Sequence, residues 1–115
     1  MNKQEIFTTV KNHLLSQNAR SVNDYDECVY RGVDGKMCAI GCLMPDHLYD
    51  PECEGHNSLD TKVQRCLPMI KFPDGDDWGG PIILFLNGLQ DIHDKYNVEE
   101  WPAELNKFAL KHSLE

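Results

Sequence analysis

The chain has 115 residues, of which 41% are hydrophobic and 9% aromatic, and this length and composition predict one folded domain rather than a disordered or multidomain protein. Its net charge is −8, from 19 Asp and Glu residues against 11 Lys and Arg residues. Because phosphate binding needs clustered basic residues and those of this chain are scattered, the composition argues against direct binding to DNA or RNA.

The start of the chain and its apolar runs predict where the protein is found. The first residues are amphipathic and lack the basic flank and apolar core of a signal peptide. The longest apolar run, residues 82–86, is far shorter than the roughly 18 residues that a membrane span needs. We therefore expect a soluble cytoplasmic protein without membrane contact. The domain is predicted over residues 1–113, because Leu114 and Glu115 resemble a cloning scar.

The first predicted element is an amphipathic helix over residues 3–18. Ile6, Val10 and Leu14 recur at helical spacing, and the polar residues between them would face water. Asn18 is a residue type that commonly ends helices, and the polar residues 21–24 predict a loop after it.

A β-hairpin is predicted next. Residues 28–30 and 36–40 are short and favour strands, and Asp34-Gly35 between them is a pair that tolerates positive φ in a tight turn. Pro45 followed by Asp46 predicts a short helical turn through Tyr49.

The second half of the chain predicts three further helices. They cover residues 59–67 after a capping Ser58, residues 82–96 as the central buried helix, and residues 102–112. Residues 71–80 are predicted to form an acidic loop that contains Trp78. The predicted fold class is α+β and mostly helical, with about four helices packed against one small β-hairpin.

The cysteines offer two interpretations. A zinc site would draw on Cys28, Cys38, Cys42 and Cys53, with His47 or His56 as a substitute ligand. The spacing C-x9-C, C-x3-C, C-x10-C lacks the usual C-x2-C knuckle, and on a strand Cys38 and Cys42 would lie about 13 Å apart. Since a cytoplasmic protein rarely keeps disulfides, we favour buried free thiols and expect no cofactor.

Catalytic arrangements have little support in the sequence. Cys42 with His47 or His56 as base could act as a nucleophile, but no signature places an oxyanion donor beside it. Acid–base pairs could form from Asp46 with His47, or from Asp91, His93 and Asp94, yet such neighbours are common on solvated faces. Whether the protein is an enzyme stays open, and the sequence favours that it is not.

A binding surface is the other possibility. Arg and aromatic side chains are frequent at interaction hot spots. The candidate residues are Arg31, Asp46, His47, Tyr49 and Trp78. Alternatively, Arg31 ties down a neighbouring carboxylate or loop carbonyls, or it holds an anionic group of a small molecule.

The first half of the chain resembles a family of small proteins of tailed phages and prophages. The resemblance covers residues 3–55 and is carried by Y-R-G at residues 30–32, D-G at 34–35, C-A-I-G-C-L-M-P-D at 38–46, and Tyr49, Pro51 and E-G at 54–55. It implies no activity and no catalytic residues. Accessory phage proteins often bind host proteins, and the chain's acidity would suit a basic partner.

The function predicted from the sequence is therefore that of a small, acidic, phage-derived protein that binds a host macromolecule in the host-cell cytoplasm, with a host protein as partner. Two alternatives remain: a small-molecule-binding protein or enzyme that uses the Cys- and His-rich residues 28–56, and a structural or assembly protein. The oligomeric state is not predicted.

Overall fold

A computed structural model describes residues 1–72 and 80–115 of the chain. The described residues form four α-helices: α1 (Lys3–Gln17), α2 (Thr61–Gln64), α3 (Pro81–Lys95) and α4 (Trp101–Lys111). Short 3-10 turns lie at Val33–Gly35, Gly41–Leu43, Pro51–Cys53 and Val98–Glu100. The predicted binding residue Trp78 lies outside the described residues.

Helix α1 confirms the first prediction. Its apolar positions Ile6, Val10 and Leu14 are fully buried. Asn2 and Glu5 form a capping box at its start, in which each side chain bonds the other's backbone N–H. Asn18 ends the helix in the left-handed conformation, with φ of 51°.

Helices α3 and α4 pack on each other and on α1, and together the three enclose the core. Helix α3 begins at Pro81, and its inner face buries apolar side chains from Ile83 to Ile92 together with the imidazole of His93. Trp101 starts α4 and is fully buried, although the sequence predicted a helix starting one residue later.

The predicted β-hairpin is wrong. The described residues form no strand, and their antiparallel pairing is limited to two isolated bridges, Val22 with Cys28 and Arg31 with Met37. The turn itself forms, since Asp34 and Gly35 both have positive φ, of 57° and 73°. The α+β class is therefore corrected to a mostly helical architecture without a sheet in the described parts.

Side chains satisfy backbone groups around the bridge between Arg31 and Met37. The N–H and carbonyl groups of these two residues face away from each other, because the bonds of the bridge run from Gly32 N–H to the Lys36 carbonyl at 2.9 Å and from Cys38 N–H to the Tyr30 carbonyl at 3.3 Å. The backbone N–H groups of Tyr30 and Arg31 donate to the carboxylate of Glu54, at 2.8 and 3.1 Å. The backbone N–H of Met37 donates to the side chain of Gln17, and its carbonyl accepts from the same side chain, both at 2.9 Å. The next bond of a hairpin, from Tyr30 N–H to the Cys38 carbonyl, does not form, because Tyr30 N–H donates to Glu54 and the Cys38 carbonyl accepts from the backbone N–H of Cys42 at 3.0 Å.

Gly41 allows a close approach of two backbone segments. A Cβ atom at this position would lie 2.1 Å from the carbonyl oxygen of Tyr30, a distance that no side chain tolerates. Residues 38–44 can therefore turn into the core directly beneath Tyr30, burying Cys38 and Ile40.

Helix α2 is shorter than predicted, four residues instead of nine. Asp60 caps it, since its side chain accepts from the backbone N–H of Lys62. Ser58, the predicted cap, is buried and donates to Asn87 of α3 at 2.7 Å. The side chain thus joins this segment to α3.

The two ends of the described chain lie side by side. The amide of Gln4 on α1 accepts from the backbone N–H of Glu115 at 2.9 Å and donates to its carbonyl at 3.2 Å. Leu114 packs against the core. Within the residues that the structure describes, no helix has the length and apolar character to cross a membrane.

Candidate functional site

Arg31, Asp46 and Tyr49, three of the predicted binding residues, lie together. The Arg31 guanidinium donates to Asp46 Oδ1 at 2.7 Å and to the carbonyl of Met44, and it lies over the Tyr49 ring at 5.2 Å. His47 is exposed in the turn beside them. The guanidinium is thus engaged within the chain, as in the alternative in which Arg31 ties down a carboxylate and a loop carbonyl.

Glu54 links the segment that contains Tyr30 and Arg31 to the turn that contains Tyr49. Besides the two backbone N–H groups described above, its carboxylate accepts a bond from the Tyr49 hydroxyl at 2.6 Å. Burial, followed by the bond to Glu54, raises the pKa of Tyr49 well above its ordinary value. Arg31, Asp46, Tyr49 and Glu54 therefore make contacts that shape the loops.

A cleft of about 480 Å³ opens between helix α3 and the loops that contain Tyr30 and Glu54. One wall is formed by residues 28–30 and Ile40, a second by residues 54–57, and the third by Asn87, Gln90, Asp91 and Asp94 on α3. The hydroxyl of Tyr30 donates to the carbonyl of His56, which joins the first wall to the second. Three carboxylates line the cleft, and its lining includes neither lysine nor arginine.

A cluster of Cys28, His93 and Asp94 lies at one end of the cleft. His93 Nε2 accepts from the backbone N–H of Ser21 at 2.9 Å, so in the neutral ring Nδ1 carries the proton and donates to Asp94 Oδ1 at 2.7 Å. Gln90 donates to the same oxygen at 2.8 Å. Burial alone would raise the pKa of Asp94, but these bonds outweigh it and hold the pKa below its ordinary value.

The candidate zinc ligands predicted from the sequence do not lie close together. Cys38 and Cys53 are buried in the core, while His47 and His56 are exposed. In the described parts of the chain, only Cys28, His93 and Asp94 place three ligand atoms within 4.8 Å of one another. An ion bound there through Nδ1 would displace the proton of His93 while Nε2 still accepts from Ser21, which requires an imidazolate, so we assign no metal to the cluster.

The thiols of the cleft and its surroundings are poorly suited to nucleophilic chemistry. Burial raises the pKa of Cys42 to about 12, and its S–H donates to the Ala39 carbonyl at 3.0 Å. Burial and the neighbouring Asp94 raise the pKa of Cys28 to about 11. Since the thiolate is the reactive form, neither residue is activated at neutral pH.

Residues 23–27 form a second candidate site, a loop beside the cleft. The side chain of Asn23 accepts from the backbone N–H groups of Tyr25 and Glu27, at 2.9 and 3.1 Å, and the bridge between Val22 and Cys28 closes the loop. Tyr25 projects from it with 83% of its surface exposed. Asp24, Asp26 and Glu27 around it are exposed as well.

The sequence predicts His93 and Asp94 only as part of a candidate acid–base group with Asp91, and it singles out neither Tyr25 nor the position of Cys28 in the cleft. A signal for Tyr25 was present, namely an aromatic residue among acidic loop residues. Comparisons of the chain with protein-family models, with curated proteins and with solved structures find no match.

Proposed function

We propose that the protein is a phage-derived binding protein that acts in the host-cell cytoplasm by recognising a basic surface of a host protein. The observation that carries this proposal is the exposed Tyr25 on the closed acidic loop of residues 23–27. Tyrosine is among the residues most often found at the centre of protein interfaces. The phage-protein resemblance of residues 3–55 supports a host-directed role.

The loop is suited to binding because its backbone is already fixed. Asn23 bonds to Tyr25 and Glu27 through its side chain, and its backbone N–H donates to the Glu27 carbonyl at 2.9 Å. Ordering a loop at an interface costs free energy, and a loop held in place before binding avoids most of that cost. Tyr25 is therefore presented in a defined position.

Charge selects the kind of partner. Asp24, Asp26 and Glu27 flank Tyr25 in the loop, and all three are exposed. The net charge of −8 has the same sign. Such a surface attracts a basic partner over the distance of a Debye length and repels acidic ones, so association should weaken as salt concentration rises.

The test compares two exposed side chains on different parts of the molecule. Tyr25→Ala should abolish the capture of a specific host protein from lysate, because it removes the aromatic anchor. Leu110→Ala is the matched control, since Leu110 on α4 is 82% exposed and lies outside the loop. Retention of every captured host protein by Tyr25→Ala, or equal loss with Leu110→Ala, would show that the loop is not the binding surface.

A further inference from the structure

We propose that the cleft between residues 28–30, residues 54–57 and α3 binds a small organic molecule through a cationic nitrogen, with Asp91 and Asp94 as its partners. This site is separate from the protein-binding loop and does not depend on it. The inference rests on the size of the cleft, the sign of its charge and the fixed positions of its polar groups.

The cleft has the dimensions of a ligand site. Its volume of about 480 Å³ falls within the range of roughly 300–1,000 Å³ found for small-molecule pockets. Val29, which is half-buried, supplies apolar wall beside the buried Tyr30 and Ile40, and the carbon skeleton of a ligand can pack against it. Polar groups of α3 face the same space, so one molecule can meet both kinds of surface.

The charge of the lining specifies the ligand class. Glu54, Asp91 and Asp94 contribute three carboxylates, and the described lining includes neither lysine nor arginine. His56 also lines the cleft, with its Nδ1 3.1 Å from Asp60, and Lys95 pairs with Asp91 at 3.4 Å. The carboxylates outnumber the paired lysine, so an anionic ligand would be repelled and an ammonium or guanidinium group attracted.

The polar groups are held in place before a ligand arrives. Gln90 accepts from the backbone N–H of Ile40 at 3.0 Å through its carbonyl oxygen and donates to Asp94 through its nitrogen. His93 holds Asp94 from the other side. A carboxylate has about four acceptor positions, so Asp94 keeps room for a ligand N–H while its orientation stays fixed. Asp91 is paired with Lys95 at 3.4 Å, and because both side chains are exposed, a ligand cation can replace that pairing.

Three probes of similar shape and different charge test the proposal: benzylamine, benzyl alcohol and benzoate. Each is titrated into the ¹⁵N-labelled protein while backbone amide shifts are followed. Benzylamine should produce saturable shifts at Tyr30, Ile40 and Gln90, and the other two probes should not. Equal binding of benzyl alcohol, or no saturable shift at these amides with benzylamine, would overturn the proposal.

Variants separate a specific site from general attraction to an acidic protein. Asp91→Asn should weaken benzylamine binding by about fivefold, the effect of removing one favourable charge pair near the surface. Asp24→Asn removes the same charge from the loop and should leave the affinity unchanged. Equal weakening by both variants would show that binding is non-specific.

The proposed function does not depend on this proposal, because the two are tested by different variants. Tyr25→Ala should not alter benzylamine binding, and Asp91→Asn should not alter host-protein capture. If Tyr25→Ala weakens benzylamine binding as much as Asp91→Asn does, the loop and the cleft are one site, and the inference of a separate ligand site is wrong.

Discussion

His93 connects three parts of the chain through a single buried ring. It accepts from the backbone of Ser21, donates to Asp94 and stacks on Trp101 with ring centroids 5.5 Å apart. Ser21 in turn donates from its hydroxyl to the Val29 carbonyl at 2.7 Å. The wall of the cleft at Cys28 and Val29 is thus positioned by an imidazole in one defined tautomer.

The carboxylate of Asp94 should make stability depend on pH. Its pKa is lower in the folded protein than the ordinary value of 3.8, so its contribution is fully present above that value and is lost as pH falls through the folded pKa. Asp94→Asn should lower the free energy of unfolding by about 1 kcal/mol at neutral pH, since charge-assisted hydrogen bonds become neutral ones.

Urea denaturation at several pH values measures this effect. The difference in unfolding free energy between the wild type and Asp94→Asn should stay constant down to about pH 4 and should shrink as pH falls from about 4 to about 2. Asp24→Asn, on the exposed loop, controls for the loss of one negative charge. A difference that stays constant over this range would contradict the role assigned to Asp94.

At the scale of elements, the capping box of α1 should contribute to stability. The side chain of Asn2 accepts from the backbone N–H of Glu5 at 2.8 Å, so Asn2→Ala should cost about 1 kcal/mol. Asn12→Ala, in the exposed middle of the same helix, should be neutral or slightly stabilising, because alanine favours the helix interior. The two variants are compared by thermal and urea denaturation, and an equal effect would argue against the cap.

Helices could be predicted where the sequence carries its own periodicity. In α1, Ile6, Val10 and Leu14 repeat at helical spacing, and in α3, Phe85, Leu89 and Ile92 do so. Both elements bury the residues that the pattern indicates, because an amphipathic helix has one face to bury.

The hairpin failed because its hydrogen bonds are decided by distant residues. Tyr30 N–H donates to Glu54 instead of to the Cys38 carbonyl, which accepts from the N–H of Cys42 as residues 38–44 turn into the core. No local pattern shows that a glutamate far along the chain will replace a strand. The Asp34-Gly35 turn, which depends on its own two residues, was predicted correctly.

The candidate sites, like the hairpin, depend on contacts between residues that are distant in the sequence. The cleft is lined by residues 28–30 and 54–57 and by Gln90, Asp91 and Asp94 on α3. These segments come together through the packing of α3. Sequence spacing could not show this. Arg31, Asp46 and Tyr49 lie near one another, because all three belong to one turn-rich segment.

Three buried thiols can be used to measure how the single core of the molecule opens. Cys38, Cys53 and Cys66 come from different segments, and each is at most 1% exposed. Their alkylation should require global opening, so the opening free energies of all three should agree with the free energy of unfolding. Cys28, which is exposed, should react first, but more slowly than an unstructured thiol because its pKa is raised to about 11.

Iodoacetamide labelling followed by peptide mass spectrometry at increasing urea concentrations measures each thiol separately. Cys28 serves as the internal control for access of the reagent. Labelling of Cys53 or Cys66 well below the unfolding transition, while Cys38 stays protected, would show that the segment around α2 opens independently of the core.

The pairing of Gln4 with Glu115 has a consequence for topology. Since the two ends touch, a short linker could close the chain into a ring, and new ends could be opened at the exposed Asp34-Gly35 turn. In such a circular permutant, the packing of α1 on α4 would become a contact between sequence neighbours. Contact order would fall for that interface, and the refolding rate should rise if the interface forms early.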